Sequence, residues 1–189
     1  GSTTVADRRI RCHKTTGHGT QTFTQTVMNS CNPAFIEWGR RVGVDNFYTY
    51  IDKLGLTSKT GIDIAGEAGT IIHKKENVGE VELATMSFGQ SFQITPMQML
   101  RAAAAIVNGG NLVTPHFAIR TCAADKTTYS EFSYSTTQEA VSKETSDTMK
   151  DILRQVVEEG GGKNAYIEGF SIGGKTATSQ KLPRGSGKY

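Results

Sequence analysis

Two cysteines and a histidine near the start of the chain have the donor types that bind a transition metal. Cys12, His18 and Cys31 follow the spacing Cys-x5-His-x12-Cys, which matches no standard zinc finger. Two thiolates and one imidazole are a borderline-soft donor set suited to Zn²⁺, and Asp7 or His13 could complete a tetrahedron. Such an ion would be structural and would hold the N-terminal loop behind residues 30–32.

Three other interpretations of these thiols stay open. A disulfide between Cys12 and Cys31 would close a loop whose length makes the bond worth about 3 kcal/mol. Cys31 could instead be a small buried hydrophobe, and Cys12 a surface thiol. Cys122, His73 and His116 are isolated in the sequence, and we interpret them as packed, structural or surface residues.

Polar side chains of other kinds occur close together at two further places. Ser30 and Asn32 lie two residues apart, a spacing at which side chains of an extended turn point the same way, with Cys31 pointing away. Both side chains could therefore face one cleft. Near the other end of the chain, Lys175 is followed by the hydroxyls of Thr176 and Thr178.

The elements that position these residues follow from caps and apolar spacing. Residues 1–19 are predicted to form a loop, and a helical pattern starts at Thr20. A second helix is predicted from Asn32 and Pro33 to about Val42, ended by Gly43, and a third over 45–54. Capping signals at Thr95-Pro96 and Ser142 predict two more helices, the latter amphipathic.

Extended structure is predicted for the rest of the chain. Short β-prone pieces occur at 61–64 and 70–72, residues 111–120 are extended, and 121–140 form a hairpin or a mobile loop. Two edge-type strands are predicted at 166–172 and 173–180. The net charge of +3 does not imply nucleic-acid binding, and three cysteines do not make a disulfide scaffold.

The longest motif is the run ELATMSFGQSFQITPMQMLRAAAAIVNGG at residues 82–110. With Ser-Cys-Asn at 30–32 and Lys-Thr-Ala-Thr at 175–178, it resembles the penicillin-binding transpeptidases, which cross-link bacterial peptidoglycan. That family has a similar run, a Ser-x-Asn motif and a Lys-Thr-Gly-Thr motif. The resemblance implies an α+β fold of the β-lactamase/transpeptidase type, with a helical subdomain and an antiparallel sheet flanked by helices, incomplete at both ends.

On this resemblance, residues 1–189 are one partial transpeptidase domain. It comprises an N-terminal loop at 1–19, a mostly helical part at 20–110 and a sheet-associated part at 111–189. Arg-Cys-His-Lys at 11–14, Gly-His-Gly at 17–19 and the segment 21–32 resemble a sporulation-type class B subgroup. This subgroup implies a role in cell-wall or spore-cortex synthesis.

The resemblance also implies a role for each motif residue. Ser30 would help to move a proton to the leaving amine, and Asn32 would hydrogen-bond the substrate. Lys175 would supply positive field, while the hydroxyls of Thr176 and Thr178 bind the carboxylate of a terminal D-alanine. The N–H of Thr178 would form half of an oxyanion hole. Ala177 replaces the usual glycine, and its methyl group could tighten the cleft.

The family's Ser-x-x-Lys motif, which supplies the nucleophile and its activating lysine, has no match, since no serine has lysine three residues later. We therefore expect this chain alone to be inactive and its parent protein to be a serine-type D-Ala-D-Ala transpeptidase. The alternatives are a penicillin-sensing protein and a non-catalytic scaffolding fragment. Catalysis of this kind needs no cofactor, apart from the structural Zn²⁺ considered above.

The resemblance further implies partners and a location. The expected partners are peptidoglycan stem peptides, β-lactams that mimic them, and a glycosyltransferase that works with the full-length protein; nucleic acid is not among them. The expected location is the extracytoplasmic face of the cytoplasmic membrane. An N-terminal segment not present here would anchor the protein there.

Overall fold

The structure is a computed structural model that describes residues 1–179 of the chain. Its helices are α1 (Phe23–Met28), α2 (Asn32–Lys53), α3 (Glu80–Ser87), α4 (Pro96–Val107) and α5 (Lys143–Glu158), with 3₁₀ turns at Lys75–Asn77 and Lys163–Ala165. Its strands are β1 (Ser2–Val5), β2 (Arg8–Arg11), β3 (Leu112–Val113), β4 (Arg120–Cys122), β5 (Tyr129–Glu131) and β6 (Thr136–Thr137). Helices and small antiparallel sheets give the α+β class that was predicted.

The described residues group into two compact units, each assembled from separate stretches of chain. Unit 1 combines Gly1–Thr49, Ile72–Phe92 and residues 148–179, and unit 2 combines Tyr50–Ile71 and Gln93–Asp147. The divisions predicted at residues 19 and 110 follow chain order instead, because local patterns do not show which distant stretches pack together. Across residues 1–179, no helix has the length and apolarity that a bilayer crossing requires.

The chain begins with a β-hairpin, so the loop predicted for residues 1–19 is wrong over its first part. β1 and β2 pair antiparallel, and Ala6 takes a left-handed φ of 51° in the turn between them. Val5 is fully buried and packs with Ile36 and Ala84 in a core of unit 1. Since alternate residues of a strand face one side, one buried valine supported by Ile10 anchors an otherwise polar hairpin.

Helix α2 begins at Asn32, so Asn32 is its first residue, one position ahead of the prediction that Asn32 caps the helix and Pro33 starts it. Gly43 does not end the helix but interrupts it, with a φ of 74° and a ψ of 162° that are non-helical. The helix then resumes to Lys53, and this second half is the predicted third helix. Gly43 was predicted to end the helix, and in the structure it kinks the helix instead.

Helix α5 supplies the second apolar cluster of unit 1. Ser142 caps it as predicted, by accepting a hydrogen bond from the N–H of Thr145 at 3.1 Å. The buried side chains of Ile152 and Val156 lie four residues apart on one helix face and pack against Val27 of α1. The amphipathic pattern correctly predicted this buried face.

Helix α4 organises unit 2. Thr95 caps it and Pro96 is its first residue, as predicted. Gln98 is fully buried, and its Nε2 donates to the carbonyl of Ser58 and to the hydroxyl of Thr70, both at 2.7 Å. These bonds satisfy the buried amide and tie the irregular loop of residues 57–71 to the helix.

The extended part of unit 2 forms two small ladders. β3 pairs with β6, and β4 pairs with β5, which confirms the hairpin predicted within 121–140. The carboxylate of Asp63 accepts bonds from the N–H groups of Phe117 and Ala118, at 2.9 and 2.7 Å, and these bonds lower its pKa. Gly110 ends the α4 region with a φ of 95°, and a Cβ there would lie 1.9 Å from the carbonyl oxygen of Val141.

The two strands predicted at 166–180 are absent from residues 166–179, and Gln180 lies outside the described residues. A strand needs a neighbour for its backbone hydrogen bonds, and no strand in the described part of the chain pairs with this segment. The N–H of Gly174 donates instead to the carbonyl of Leu153 in α5, at 3.1 Å. The predicted pieces at 61–64 and 70–72 likewise reduce to one bridge between Ile71 and Gln93.

Candidate active site

Ser30 is positioned by the way α1 ends. The N–H groups of Ser30 and Cys31 donate to the carbonyls of Val27 and Thr26, both at 3.2 Å. These two bonds form a Schellman motif, whose first residue beyond the cap is left-handed. Ser30 accordingly has a φ of 50°, a conformation that costs a residue other than glycine roughly 1 kcal/mol. The backbone thus holds this hydroxyl at a strained, well-defined position.

The ammonium group of Lys175 lies against the hydroxyl of Ser30. Its Nζ donates to Ser30 Oγ at 2.7 Å, to the carbonyl of Thr176 at 2.9 Å and to Thr176 Oγ1 at 3.4 Å. Desolvation by the surrounding protein lowers the pKa of Lys175 from its ordinary value. The fold therefore brings together a cation and a hydroxyl that are 145 positions apart in the chain.

Helix α5 and the glycines around it hold both members of this pair. Directly after the helix, the N–H of Gly161 donates at 3.3 Å to the carbonyl of Met28, which lies two residues before Ser30. The N–H of Gly174, next to Lys175, donates to the carbonyl of Leu153 within the helix. Helix α5 and the turn that follows it are therefore bonded to the chain next to Ser30 and next to Lys175.

Thr176 and Thr178 lie beyond Lys175 and are exposed, as is Ala177 between them. The carbonyl of Thr178 accepts a hydrogen bond from Nε2 of Gln90 at 3.3 Å. Nothing in the short motifs singled out Gln90, although it belongs to the Phe-Gly-Gln part of the long run. Thr176 and Thr178 are therefore accessible to a ligand bound beside the ammonium group.

Asn32 points one end of its amide at the hairpin. Its Nδ2 donates to the carbonyl of Arg11 at 3.2 Å. The Asn32 side chain is therefore hydrogen-bonded to β2 and not to Lys175. This bond fixes which end of the amide carries the donor. Oδ1 is left as the acceptor end.

A second cluster of chemically active groups lies beside the hairpin. Sγ of Cys12 lies 3.6 Å from Nδ1 of His13 and 3.7 Å from Nδ1 of His18, and ligand atoms of the three residues lie within 4.8 Å of one another. Cys12 is buried. Burial and the neighbouring charges of His13 and Lys14 lower the pKa of His18, which favours the neutral imidazole that binds metals. The donor set fits a zinc ion.

This cluster differs from the predicted ligand set of Cys12, His18, Cys31 and Asp7. His13 takes part, while Cys31 and Asp7 do not join the group. Asp7 lies in the hairpin turn, and the four residues of β2 separate it from Cys12, so five residue steps of extended chain span roughly 16 Å. Cys31 is buried next to Asn32, whose amide bonds Arg11. All three cysteines are free, so a disulfide between Cys12 and Cys31 is not formed.

Together, the groups around Lys175 suit an anionic ligand and a proton transfer. An ammonium group flanked by threonine hydroxyls can bind a carboxylate by charge-assisted hydrogen bonds. The hydroxyl of Ser30 accepts a bond from Lys175 and keeps its own proton to donate. Such a hydroxyl can pass a proton between two neighbouring groups.

Comparison with known proteins agrees with this geometry. The family model described as penicillin binding protein transpeptidase domain matches residues 1–189. Stage V sporulation protein D of Bacillus subtilis is 44% identical over 190 residues, covering 100% of this chain and 29% of that protein. Penicillin-binding protein PbpB of Mycobacterium tuberculosis is 29% identical, covering 95% of this chain and 28% of that protein.

A solved structure shows the same fold. Penicillin binding protein 3 of Mycobacterium tuberculosis, crystallised in complex with aztreonam, matches with a TM-score of 0.91 at 27% identity, covering 99% of this chain and 43% of that one. The chain therefore spans less than a third of the curated relatives above and less than half of this structure. The family match along its whole length shows that this chain belongs to the penicillin-binding protein transpeptidase domain family.

Proposed function

We propose that the protein containing this chain is a peptidoglycan D,D-transpeptidase that works through an acyl-serine intermediate. The observation that carries the proposal is the 2.7 Å hydrogen bond from Lys175 Nζ to Ser30 Oγ. It joins the Lys-Thr-Ala-Thr motif to the Ser-Cys-Asn motif in one site. The nucleophilic serine would come from a Ser-x-x-Lys segment outside these residues, since this chain has none.

In the proposed reaction, that serine attacks the carbonyl of the penultimate D-alanine of a stem peptide. The C–N bond to the terminal D-alanine breaks, and the leaving amine takes up a proton. An amine of a neighbouring stem then attacks the acyl-serine ester, which forms the cross-link and frees the serine. The hydroxyl of Ser30 would relay the proton to the leaving amine.

The other residues bind and orient the substrate. Lys175 and the hydroxyls of Thr176 and Thr178 hold the carboxylate of the terminal D-alanine, and the N–H of Thr178 donates to the developing oxyanion. Oδ1 of Asn32 is free to accept from an amide N–H of the substrate, because Nδ2 is bonded to Arg11. Binding of the carboxylate depends on the protonated form of Lys175.

The comparisons support this assignment for the parent protein. The relatives are named for sporulation and for penicillin binding, and aztreonam, bound in the similar structure, is a β-lactam. We therefore also propose that the parent protein binds β-lactams, that its transpeptidase domain lies on the outer face of the cytoplasmic membrane through an anchor outside this chain, and that it works with a glycosyltransferase.

We further propose that a structural zinc ion binds beside the hairpin. Cys12, His13 and His18 would hold it, with Cys31 of the predicted set as the candidate for a fourth ligand. The ion would fix the end of β2 next to Asn32, whose amide already bonds Arg11. When bound, the ion would cross-link the chain that follows β2 to Cys31, the residue before α2. No step of the reaction involves it.

Labelling with a fluorescent penicillin tests the function. The full-length protein should form a stable adduct, whereas residues 1–189 alone should not. Lys175→Met should slow labelling of the full-length protein about 100-fold or more, because a preorganised charge is lost. The control Lys126→Met changes an exposed lysine of the β4–β5 hairpin and should label like the wild type.

The pH dependence of labelling has a defined sign. The rate should fall as pH rises through the lowered pKa of Lys175, because deprotonation removes the charge that binds the carboxylate. Lys175→Arg should move this fall to higher pH. Labelling without turnover of a stem-peptide mimic would indicate a penicillin sensor, and absence of both would indicate a scaffold; either result contradicts the proposal.

Substitution of Ser30 separates its chemical role from its backbone strain. Ser30→Gly and Ser30→Ala both remove the hydroxyl and should slow acylation similarly. Ser30→Gly should be the more stable variant by about 1 kcal/mol, because only glycine is unstrained at a φ of 50°. Urea denaturation measures this difference, and equal unfolding free energies would show that the left-handed conformation is not retained.

Metal analysis tests the zinc proposal. The purified full-length protein should contain about one zinc per chain, and chelation should lower its melting temperature. Cys12→Ala and His18→Ala should lose the metal, His13→Ala should weaken it, and Asp7→Ala should not. Cys122→Ala, which changes an exposed cysteine, is the control. Metal-free protein of unchanged stability would contradict the proposal.

A further inference from the structure

Gln90 is held in place by the backbone at the end of α3. The N–H of Gly89 donates to the carbonyl of Met86, and the N–H of Gln90 donates to the carbonyl of Thr85, both at 3.0 Å. With a φ of 86° at Gly89, these bonds form a Schellman motif in which Gln90 is the second residue beyond the cap. The backbone of Gln90 is therefore fixed relative to the helix.

Helix α3 is itself firmly packed in unit 1. Leu83, Ala84 and Met86 are buried, and Ala84 belongs to the core around Val5. At Gly39 of α2, a Cβ would lie 1.8 Å from Oγ of Ser87 in α3, so the two helices approach closely there. A side chain that extends from the end of α3 thus starts from a rigid support.

Both ends of the Gln90 amide bind the segment that follows Lys175. Nε2 donates to the carbonyl of Thr178 at 3.3 Å, and Oε1 accepts from the hydroxyl of Ser179 at 3.2 Å. An amide that donates to one residue and accepts from the next restrains both the position and the rotation of that piece of chain.

The segment from Gly173 to Ser179 needs such restraint. No strand in residues 1–179 pairs with it, and its backbone is bonded to α5 only near its start, by the N–H of Gly174. Lys175, which also bonds Ser30, and Thr176 lie between this bond and the contact with Gln90, which starts at Thr178. Without the second contact, the hydroxyls that are proposed to bind the carboxylate would be fixed from one side.

We infer that Gln90 is a positioning residue for the carboxylate-binding segment. It acts through the Thr178 carbonyl and the Ser179 hydroxyl, and it orients the hydroxyls of Thr176 and Thr178 relative to Lys175. The inference rests on the proposed transpeptidase function and adds to it a residue from the long run at 82–110. It also gives the Phe-Gly-Gln part of that run a physical role.

The test compares two β-lactams on the full-length protein. A penicillin carries the free carboxylate, and its methyl ester lacks the charge. Gln90→Ala should slow acylation by the free acid about tenfold, as expected when two hydrogen bonds that orient a binding segment are lost. Acylation by the methyl ester should change less than about twofold, because the misplaced threonines do not bind it. General destabilisation would slow both reactions equally.

A double-mutant cycle gives a second readout. Ser179→Ala removes one of the two bonds and should have a smaller effect than Gln90→Ala. In the Gln90→Ala background, Ser179→Ala should add nothing, because the bond that it removes is already absent. Gln90→Glu should not restore the wild-type rate, since a carboxylate cannot donate to the Thr178 carbonyl. Gln138→Ala, a change at an exposed glutamine, is the control.

The outcomes separate this inference from the proposed function. If the wild-type protein is not acylated by penicillin, the proposed function fails. If the wild type is acylated and Lys175→Met is slow, but Gln90→Ala reacts like the wild type, the inference alone is overturned. Equal slowing with acid and ester, or additive effects of the Gln90 and Ser179 substitutions, also overturns it.

Discussion

The packing of α5 against α1 is the contact on which the candidate active site depends. Ile152 and Val156 are buried against Val27, and complete burial of each such side chain stabilises the fold by about 1.5–3 kcal/mol. The hydrogen bond that the ammonium group of Lys175 donates to Ser30 is worth about 1.5–3 kcal/mol net, as for other bonds to charged groups, which is less than the two buried side chains contribute together. The apolar contact is therefore the stronger of the two, and it brings the polar groups together rather than being held by them.

Two Schellman motifs then convert helix ends into functional positions. Ser30 takes the left-handed position after α1, and Gln90 follows the left-handed Gly89 after α3. At Gly89 the left-handed conformation carries no strain because glycine has no Cβ, whereas at Ser30 the same conformation is strained. A residue kept in a strained conformation inside a well-packed structure is typical of a position selected for its side chain.

The elements predicted correctly from the sequence are those set by local chemistry. Caps at Thr95 and Ser142 determine where two helices start, because the groups that they satisfy lie within one turn. The hairpin of residues 2–11 was missed because its strands depend on Val5 reaching Ile36 and Ala84, which no local pattern reveals. The strands expected at 166–180 were predicted from the local sequence, but strand formation requires a partner.

The candidate site was predictable only in part for the same reason. Ser30 and Lys175 were expected to share a site because of the family resemblance, since a separation of 145 positions carries no spatial information by itself. Gln90 binds a segment 88 positions away and was missed. At the metal cluster, the sequence indicated Cys12 and His18 together with Asp7 or His13, and in the structure His13 lies beside them whereas Asp7 does not join the group.

A crystal structure of the full-length protein acylated by a penicillin would test the central claim most directly. The account predicts that the penicillin carboxylate lies within hydrogen-bond distance of the hydroxyls of Thr176 and Thr178, with Lys175 still bonded to Ser30 and α5 packed on Val27. A carboxylate bound elsewhere, with Ser30 and Lys175 on separate surfaces, would contradict it.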